Sequence, residues 1–244
     1  MKTPLVTVGW PSTYFSGAAR ANLPKRMDHC TPDTKTAIEK VGAAVAAKGG
    51  KLYLSDLFRS YEMQAAAHDD FVKGRKSANS PPPGGSFHEA GRAFDLDLDA
   101  LKMPLRDFWA LAAPLGLVPI IDAPDSTKNE SWHFECRGSH QLVYDYYKAG
   151  KGDNFGPKSG PYKAAAASAI VSIGVKVDKF GANQDAAYVQ SGLIRLGADI
   201  GNMDAAIGKR TRDALTALGI AGSTLAEWVA GVGAALKAKF PREF

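Results

Sequence analysis

Apolar residues recur at helical spacing in the first part of the chain. Between residues 34 and 48 they include Ile38, Val41 and Val45, and Gly49-Gly50 follows as a stop signal. This pattern predicts a helix over 34–48. The same spacing predicts further helices over 60–73, 105–115 and 140–148.

Alternating patterns predict the strands. In residues 51–58 apolar side chains such as Leu52 and Leu54 alternate with other residues. The run is bounded by glycines and leads into Arg59, which indicates a strand. In residues 93–98, apolar side chains alternate with Asp95 and Asp97, and Asp99 follows. We therefore expect a strand that carries these carboxylates on one face. Residues 132–134 predict a short extended segment, and the proline- and glycine-rich residues 76–86 predict a loop.

A change in composition divides the chain. Residues 148–163 are rich in Gly, Pro, Lys and Asn, whereas the residues that follow are rich in Ala, Gly, Val and Leu at helical spacing. We predict a catalytic domain over 1–150, a linker over 151–163 and a small all-α domain over 164–244. The expected fold class is α+β, with a small antiparallel sheet and flanking helices in the first domain.

Charge and composition exclude several classes of protein. The 244 residues are 45% hydrophobic and 23% charged, which is typical of a globular protein. Thirty basic and 25 acidic residues give a charge of +5 without a long basic run, so we expect no nucleic-acid partner. No segment predicts stable membrane insertion, and a monomer is expected. Cys30 and Cys136 predict two buried thiols, with a disulfide as the alternative.

The chemistry is concentrated in two segments. In residues 86–95, His88 precedes a turn at Gly91, and Asp95 then enters a strand. His133 can supply a third ligand, and Glu130 lies three residues before it. Two imidazoles and a carboxylate suit one zinc ion that keeps an open position for water, while a carboxylate that does not bind the metal can act as the base. These residue types predict a Zn²⁺ hydrolase site.

The two segments resemble the signature of the M15-type zinc D-Ala-D-Ala peptidases, which reads S-x-H-x-x-G-x-A-x-D and then E-x-W-H. Every specified position is met, from Ser86 to Asp95 and from Glu130 to His133. The resemblance implies that His88, Asp95 and His133 bind the metal and that Glu130 is the catalytic base. It also implies that Arg59, in a Phe-Arg-Ser context, contacts the substrate and takes part in catalysis. Ser86 and Trp132 are expected to line the substrate site.

The C-terminal region resembles a small peptidoglycan-binding module. Gln190, Leu193, Leu196-Gly197, Asp204, Gly208, Thr211 and Ala214-Leu215 match its pattern. The chain departs from the pattern at Ala205, where Gly is usual, and at Ile207, where Phe is usual. We expect Ala214, Leu215 and Leu218 to face a core with Leu193 and Leu196.

Together these features predict a peptidase that hydrolyses peptides of bacterial peptidoglycan, with D,D-carboxypeptidase or D,D-endopeptidase activity favoured by the E-x-W-H form. Two alternatives remain open: an L-Ala-D-Glu endopeptidase, and a metal-containing wall-binding module without catalysis. We expect action at the cell wall, in the periplasm or outside the cell. No signal peptide is visible, so we expect either that a signal has been removed or that the protein reaches the wall by another route, such as release as a phage endolysin or injection as an effector.

Overall fold

The computed structural model describes residues 2–152, 155 and 160–244. Contacts divide the chain into two compact units. The sheet unit comprises Leu5–Pro83 and Phe87–Gly138. The helical unit comprises residues 2–4, 84–86 and the described part of 139–244.

The sheet unit contains eight strands within the described residues. They are β1 Val6–Thr7, β2 Pro11–Ser16, β3 Ala19–Asn22, β4 His29–Cys30, β5 Leu54–Asp56, β6 Ala93–Leu96, β7 Leu117–Pro119 and β8 His133–Cys136. Six of them form one sheet in the order β3-β2-β5-β6-β8-β7, and β1 pairs with β4. All pairs are antiparallel except β2 with β5. The predicted α+β class is confirmed, although one pair in the larger sheet is parallel.

One face of the sheet carries the hydrophobic core. Helices α1 (Pro32–Ala46), α2 (Tyr61–Val72) and α3 (Leu105–Ala112) belong to this unit, and α1 and α3 contact both each other and the sheet. Phe94 and Phe134 are fully buried, and the ring of Phe108 on α3 meets Phe134 edge-on with centroids 4.9 Å apart. Because successive strand side chains alternate, Asp95 and His133 point away from this core.

Several predicted elements are shorter in the structure. The strand predicted over 51–58 is confined to Leu54–Asp56. The strand predicted over 93–98 ends at Leu96, so the expectation that three carboxylates share one strand face is wrong. Asp97 instead accepts a hydrogen bond from the Ala100 backbone N–H (3.2 Å), which stabilises the following 3-10 turn, and Asp99 is exposed. Helix α3 ends before Pro114, whose ring nitrogen cannot donate to the preceding turn.

The helical unit contains five α-helices within the described residues: α4 Gln141–Lys148, α5 Gly160–Ser172, α6 Gln184–Leu196, α7 Lys209–Ala217 and α8 Leu225–Lys239. Helix α4 packs against α5 and α6, and α6 packs against α8. The contact division falls at Ser139, whereas the boundary predicted from composition lies at residue 150. Residues 160–163 of the predicted linker begin helix α5, and residues 153, 154 and 156–159 of it lie outside the described residues, so the linker stays a prediction.

A buried glutamine organises the segment before α7. Gln190 accepts hydrogen bonds from the backbone N–H groups of Asp204 (3.0 Å) and Ala205 (2.8 Å), and it donates to the Asp204 carboxylate and the Ala206 carbonyl, both at 2.8 Å. Ala205 occupies the left-handed region with φ +60°, which explains why glycine suits this position. The side chains of the Gln and Asp motif positions therefore hold a turn.

The predicted core of the helical unit is correct in part. Leu193, Ala214 and Leu215 are buried, Leu196 is half-buried, and Leu218 is 41% exposed. Leu218 does not face the core because α7 ends at Ala217, and Ile220 is buried after the turn instead. Within the described residues, no helix has both the length and the apolar character needed to cross a bilayer.

Candidate metal centre

Strand pairing brings two of the predicted ligands together. Strands β6 and β8 are antiparallel neighbours, and their register pairs Asp95 with His133. Directly opposed residues have β-carbons about 4.5–5.5 Å apart. His88 comes from the 3-10 helix Phe87–Ala90, after which the chain turns at Gly91 (φ +61°) into β6. The backbone N–H of Gly91 donates to the His88 carbonyl (3.1 Å), which closes this turn.

The three ligand atoms form a compact triangle. The distance from His133 Nδ1 to Asp95 Oδ1 is 2.9 Å, that from His88 Nε2 to His133 Nδ1 is 3.2 Å, and that from His88 Nε2 to Asp95 Oδ1 is 3.4 Å. Two ligands bound tetrahedrally at zinc distances are about 3.3–3.6 Å apart. All three side chains are buried. The set can therefore hold a metal ion with little rearrangement.

The second nitrogen of His88 fixes its ring. His88 Nδ1 lies 2.7 Å from the carbonyl oxygen of Leu57. A carbonyl oxygen only accepts, so Nδ1 carries the hydrogen and Nε2 presents its lone pair to the cluster. This is the arrangement expected of a histidine that binds a metal through Nε2.

The charges of the three ligand side chains act on one another. Burial acts to raise the pKa of Asp95, but the adjacent His88 and His133 hold it well below its ordinary value. Burial likewise opposes protonation of His133, yet the neighbouring carboxylates of Asp95 and Glu135 outweigh it and raise the pKa of His133 to about 10. Without a metal, a proton on His133 offsets the buried negative charge. A divalent cation can take over that role because it also neutralises the carboxylate.

Glu130 stands beside this cluster in a strained conformation. Its φ of +69° is unusual for a residue with a side chain and costs about 1–2 kcal/mol. Its Oε1 is buried and, among the described residues, has no hydrogen-bond partner. Burial raises the pKa of Glu130, with His133, Asp95 and His88 close enough to contribute. Strain and an unsatisfied carboxylate oxygen are features that functional sites retain.

Arg59 is engaged by neighbouring side chains. Its Nη2 lies 2.6 Å from Asp56 Oδ2 and 3.6 Å from Asp95 Oδ2, and its Nη1 donates to Gln64 (3.2 Å). Burial acts to lower the pKa of Arg59, but Asp56 and Asp95 raise it above its ordinary value. The guanidinium therefore braces Asp95 as well as bordering the cluster. Its role as a substrate clamp stays a prediction.

The remaining predicted residues occupy less informative positions. Ser86 is buried directly before the 3-10 helix that carries His88, and Trp132 is half-buried beside His133 in the chain. Their roles as substrate contacts stay predictions. Cys30 and Cys136 are buried free thiols, so the disulfide alternative is not observed.

Three residues near the cluster were not among the predicted site residues. Asp56 pairs with Arg59, Glu135 follows His133 on β8, and Arg137 comes directly after the end of β8. The signal for the last two was available in the sequence, because strand residues i, i+2 and i+4 share a face. The short extended segment predicted over 132–134 ended too early to include them.

Known proteins resemble this chain in structure. No protein-family model matches the chain, and no curated protein matches it. Eight solved chains match by structure. One is the structure of the LdcB LD-carboxypeptidase, described as revealing the molecular basis of peptidoglycan recognition, with 17% identity and a TM-score of 0.40. That match covers 54% of this chain and 66% of the other, just under two thirds of its length.

Proposed function

We propose that the chain is a zinc-dependent peptidase that hydrolyses peptides of bacterial peptidoglycan. The observation that carries the proposal is the buried triangle of His88 Nε2, Asp95 Oδ1 and His133 Nδ1, with edges of 2.9–3.4 Å. Beside it lies Glu130, whose buried Oε1 has no hydrogen-bond partner among the described residues. The motif resemblance supports peptidoglycan as the substrate. This substrate implies action at the bacterial cell wall.

The residues have distinct roles in this proposal. His88, Asp95 and His133 would hold one Zn²⁺, which when bound polarises the scissile carbonyl and makes water more acidic. Glu130 accepts the proton of the attacking water and delivers it to the leaving amine. Its raised pKa suits both transfers, because the carboxyl group must take up the proton and then release it. Arg59 keeps Asp95 in place through the contact at 3.6 Å.

The test compares the wild-type chain with Glu130→Ala and Glu130→Gln. Purified muropeptides are incubated with each protein, the products are identified by mass spectrometry, and bound zinc is measured by elemental analysis. We expect one zinc per chain in all three proteins and a loss of turnover of about 10²–10⁴-fold in both variants. Wild-type levels of turnover in either variant, or a wild-type chain that binds no zinc, would contradict the proposal.

The same products identify the bond. Loss of a terminal D-Ala indicates D,D-carboxypeptidase activity, conversion of dimers to monomers indicates endopeptidase activity, and separation of L-Ala from D-Glu indicates the alternative specificity. Bound zinc without any product would support the non-catalytic wall-binding module. Glu130 Oε1 is buried and finds no hydrogen-bond partner in the part of the chain that the structure describes, which favours catalysis, since a binding module gains nothing from that cost.

We further propose that the helical unit binds peptidoglycan and so raises the local concentration of substrate. A groove of about 580 Å³ in this unit is lined by apolar residues, which include Ala214 and Leu218, and by the charged residues Asp199 and Arg210. The Glu130→Ala protein and the same protein with the added change Leu218→Asp are each sedimented with insoluble sacculi.

We expect the sacculi to retain less of the protein that carries Leu218→Asp. Val72→Asp is the matched control, because Val72 is an exposed apolar residue of the sheet unit. Equal retention of the Leu218→Asp and Val72→Asp proteins by the sacculi would contradict binding at this groove.

A further inference from the structure

Strand β8 and the residue directly after it carry a row of three polar side chains. His133, Glu135 and Arg137 follow one another at intervals of two residues, while Phe134 and Cys136 point the other way. The three polar side chains are all buried, with exposures of 7%, 2% and 7%. Buried charges are retained only when they are paired, so the row requires an explanation.

The two ring nitrogens of His133 face different partners. Nδ1 lies within the ligand triangle, 2.9 Å from Asp95 Oδ1. Nε2 lies 3.6 Å from Glu135 Oε1, which is within ion-pair distance but longer than an ordinary hydrogen bond. If Nδ1 supplies a lone pair to the metal, the neutral ring carries its hydrogen on Nε2. That hydrogen then faces the Glu135 carboxylate.

Glu135 is itself held in place. Its Oε2 accepts a hydrogen bond from Arg137 Nε at 2.6 Å. Across the sheet, the register pairs Glu135 with Ala93, which is fully buried. A methyl group at this position leaves room for the glutamate side chain, because directly opposed residues in an antiparallel pair come into contact. The alanine of the first motif therefore fits the presence of Glu135.

We infer that Glu135, held by Arg137, is a positioning residue that orients His133 so that Nδ1 faces the metal. The inference rests on the proposed function, because it assumes that the triangle binds zinc. It parallels His88, whose Nδ1 is fixed by the Leu57 carbonyl oxygen. Partners of this kind fix the orientation of a ligand ring, and their loss weakens metal affinity by roughly 10–100-fold.

The test uses Glu135→Gln in the full chain, with Glu243→Gln as a matched control. Glu243 is also a buried carboxylate, and it pairs with Arg195 at 2.7 Å in the helical unit, so its loss tests the general effect of breaking a buried ion pair. Zinc affinity is measured by competition with a chromophoric chelator. The absorption spectrum of the Co²⁺-substituted protein reports the ligand geometry.

We expect Glu135→Gln to weaken zinc binding by roughly 10–100-fold and to change the Co²⁺ spectrum, whereas Glu243→Gln leaves both unchanged. If Glu135→Gln does not fold, Glu135→Asp serves instead. It retains the charge on a shorter side chain, and we expect a smaller loss of affinity. Zinc affinity within twofold of the wild type in the folded variant would overturn the inference. A wild-type chain that binds no zinc would overturn the proposed function itself, so the two failures are distinguishable.

Discussion

Replacing Gly91 by alanine should disrupt the turn that separates His88 from Asp95. A β-carbon at Gly91 would lie 2.8 Å from Leu5 Cδ2 and 2.9 Å from Cys30 Cα. The second atom belongs to the backbone, so it cannot move without displacing β4. The φ of +61° adds a separate cost for any residue with a β-carbon.

The expected magnitude follows from these two terms. The left-handed conformation costs about 1–2 kcal/mol and steric overlap about 1–3 kcal/mol, so Gly91→Ala should lower the free energy of unfolding by about 2–5 kcal/mol. Gly49→Ala is the matched control. Gly49 has φ +82°, but a β-carbon there meets no heavy atom of the described residues within 4 Å. The control should therefore lose only about 1–2 kcal/mol.

Urea denaturation of both variants measures these free energies, and chelator competition measures zinc affinity. We expect Gly91→Ala to lose more stability than Gly49→Ala and to bind zinc more weakly, because the His88 turn must shift. Equal losses of stability in the two variants would refute the role assigned to close packing at Gly91. Unchanged zinc affinity in a destabilised Gly91→Ala protein would refute the link between this turn and the ligand set.

Three further predictions concern the helical unit, the thiols and the metal. Gln190→Ala should lower the free energy of unfolding by about 2–4 kcal/mol in urea titrations, because backbone groups of residues 204–206 lose their hydrogen-bond partners. A loss below about 0.5 kcal/mol would contradict this prediction. Burial raises the pKa of Cys30, so a thiol reagent at pH 8 should modify Cys30 and Cys136 only after denaturation; rapid labelling of the native protein would contradict it. Removing zinc with a chelator should lower the melting temperature, because free zinc at 1,000 times its Kd stabilises the native state by about 4 kcal/mol. An unchanged melting temperature after zinc loss would argue against binding at the native site.

Some features of the fold were readable only from tertiary contacts. The sequence analysis predicted no element before residue 34, yet β1 to β4 lie there. Strand β2 exposes Phe15 (62%) and three of its five other residues, so it lacks the alternation of a half-buried strand. Its residues extend because they pair with β3 and β5. The spacing of apolar residues shows which side of an element is buried. It cannot identify a strand whose residues are extended because they pair with neighbouring strands.

The amino-acid sequence by itself determined the residue types at the site, the helices α1 and α2 to within two residues at each end, and the α+β class. Regular spacing of apolar residues encodes these features directly, since a helix or a half-buried strand must place them on one face. Tertiary structure decided which atoms meet. The register of β6 with β8 sets Asp95 opposite His133, and it leaves His133 Nε2 facing Glu135. The fold also brings Arg59 to Asp95. The contacts of Asp95 with His133 and with Arg59 join residues far apart in the chain, so tertiary structure fixes them and local spacing does not.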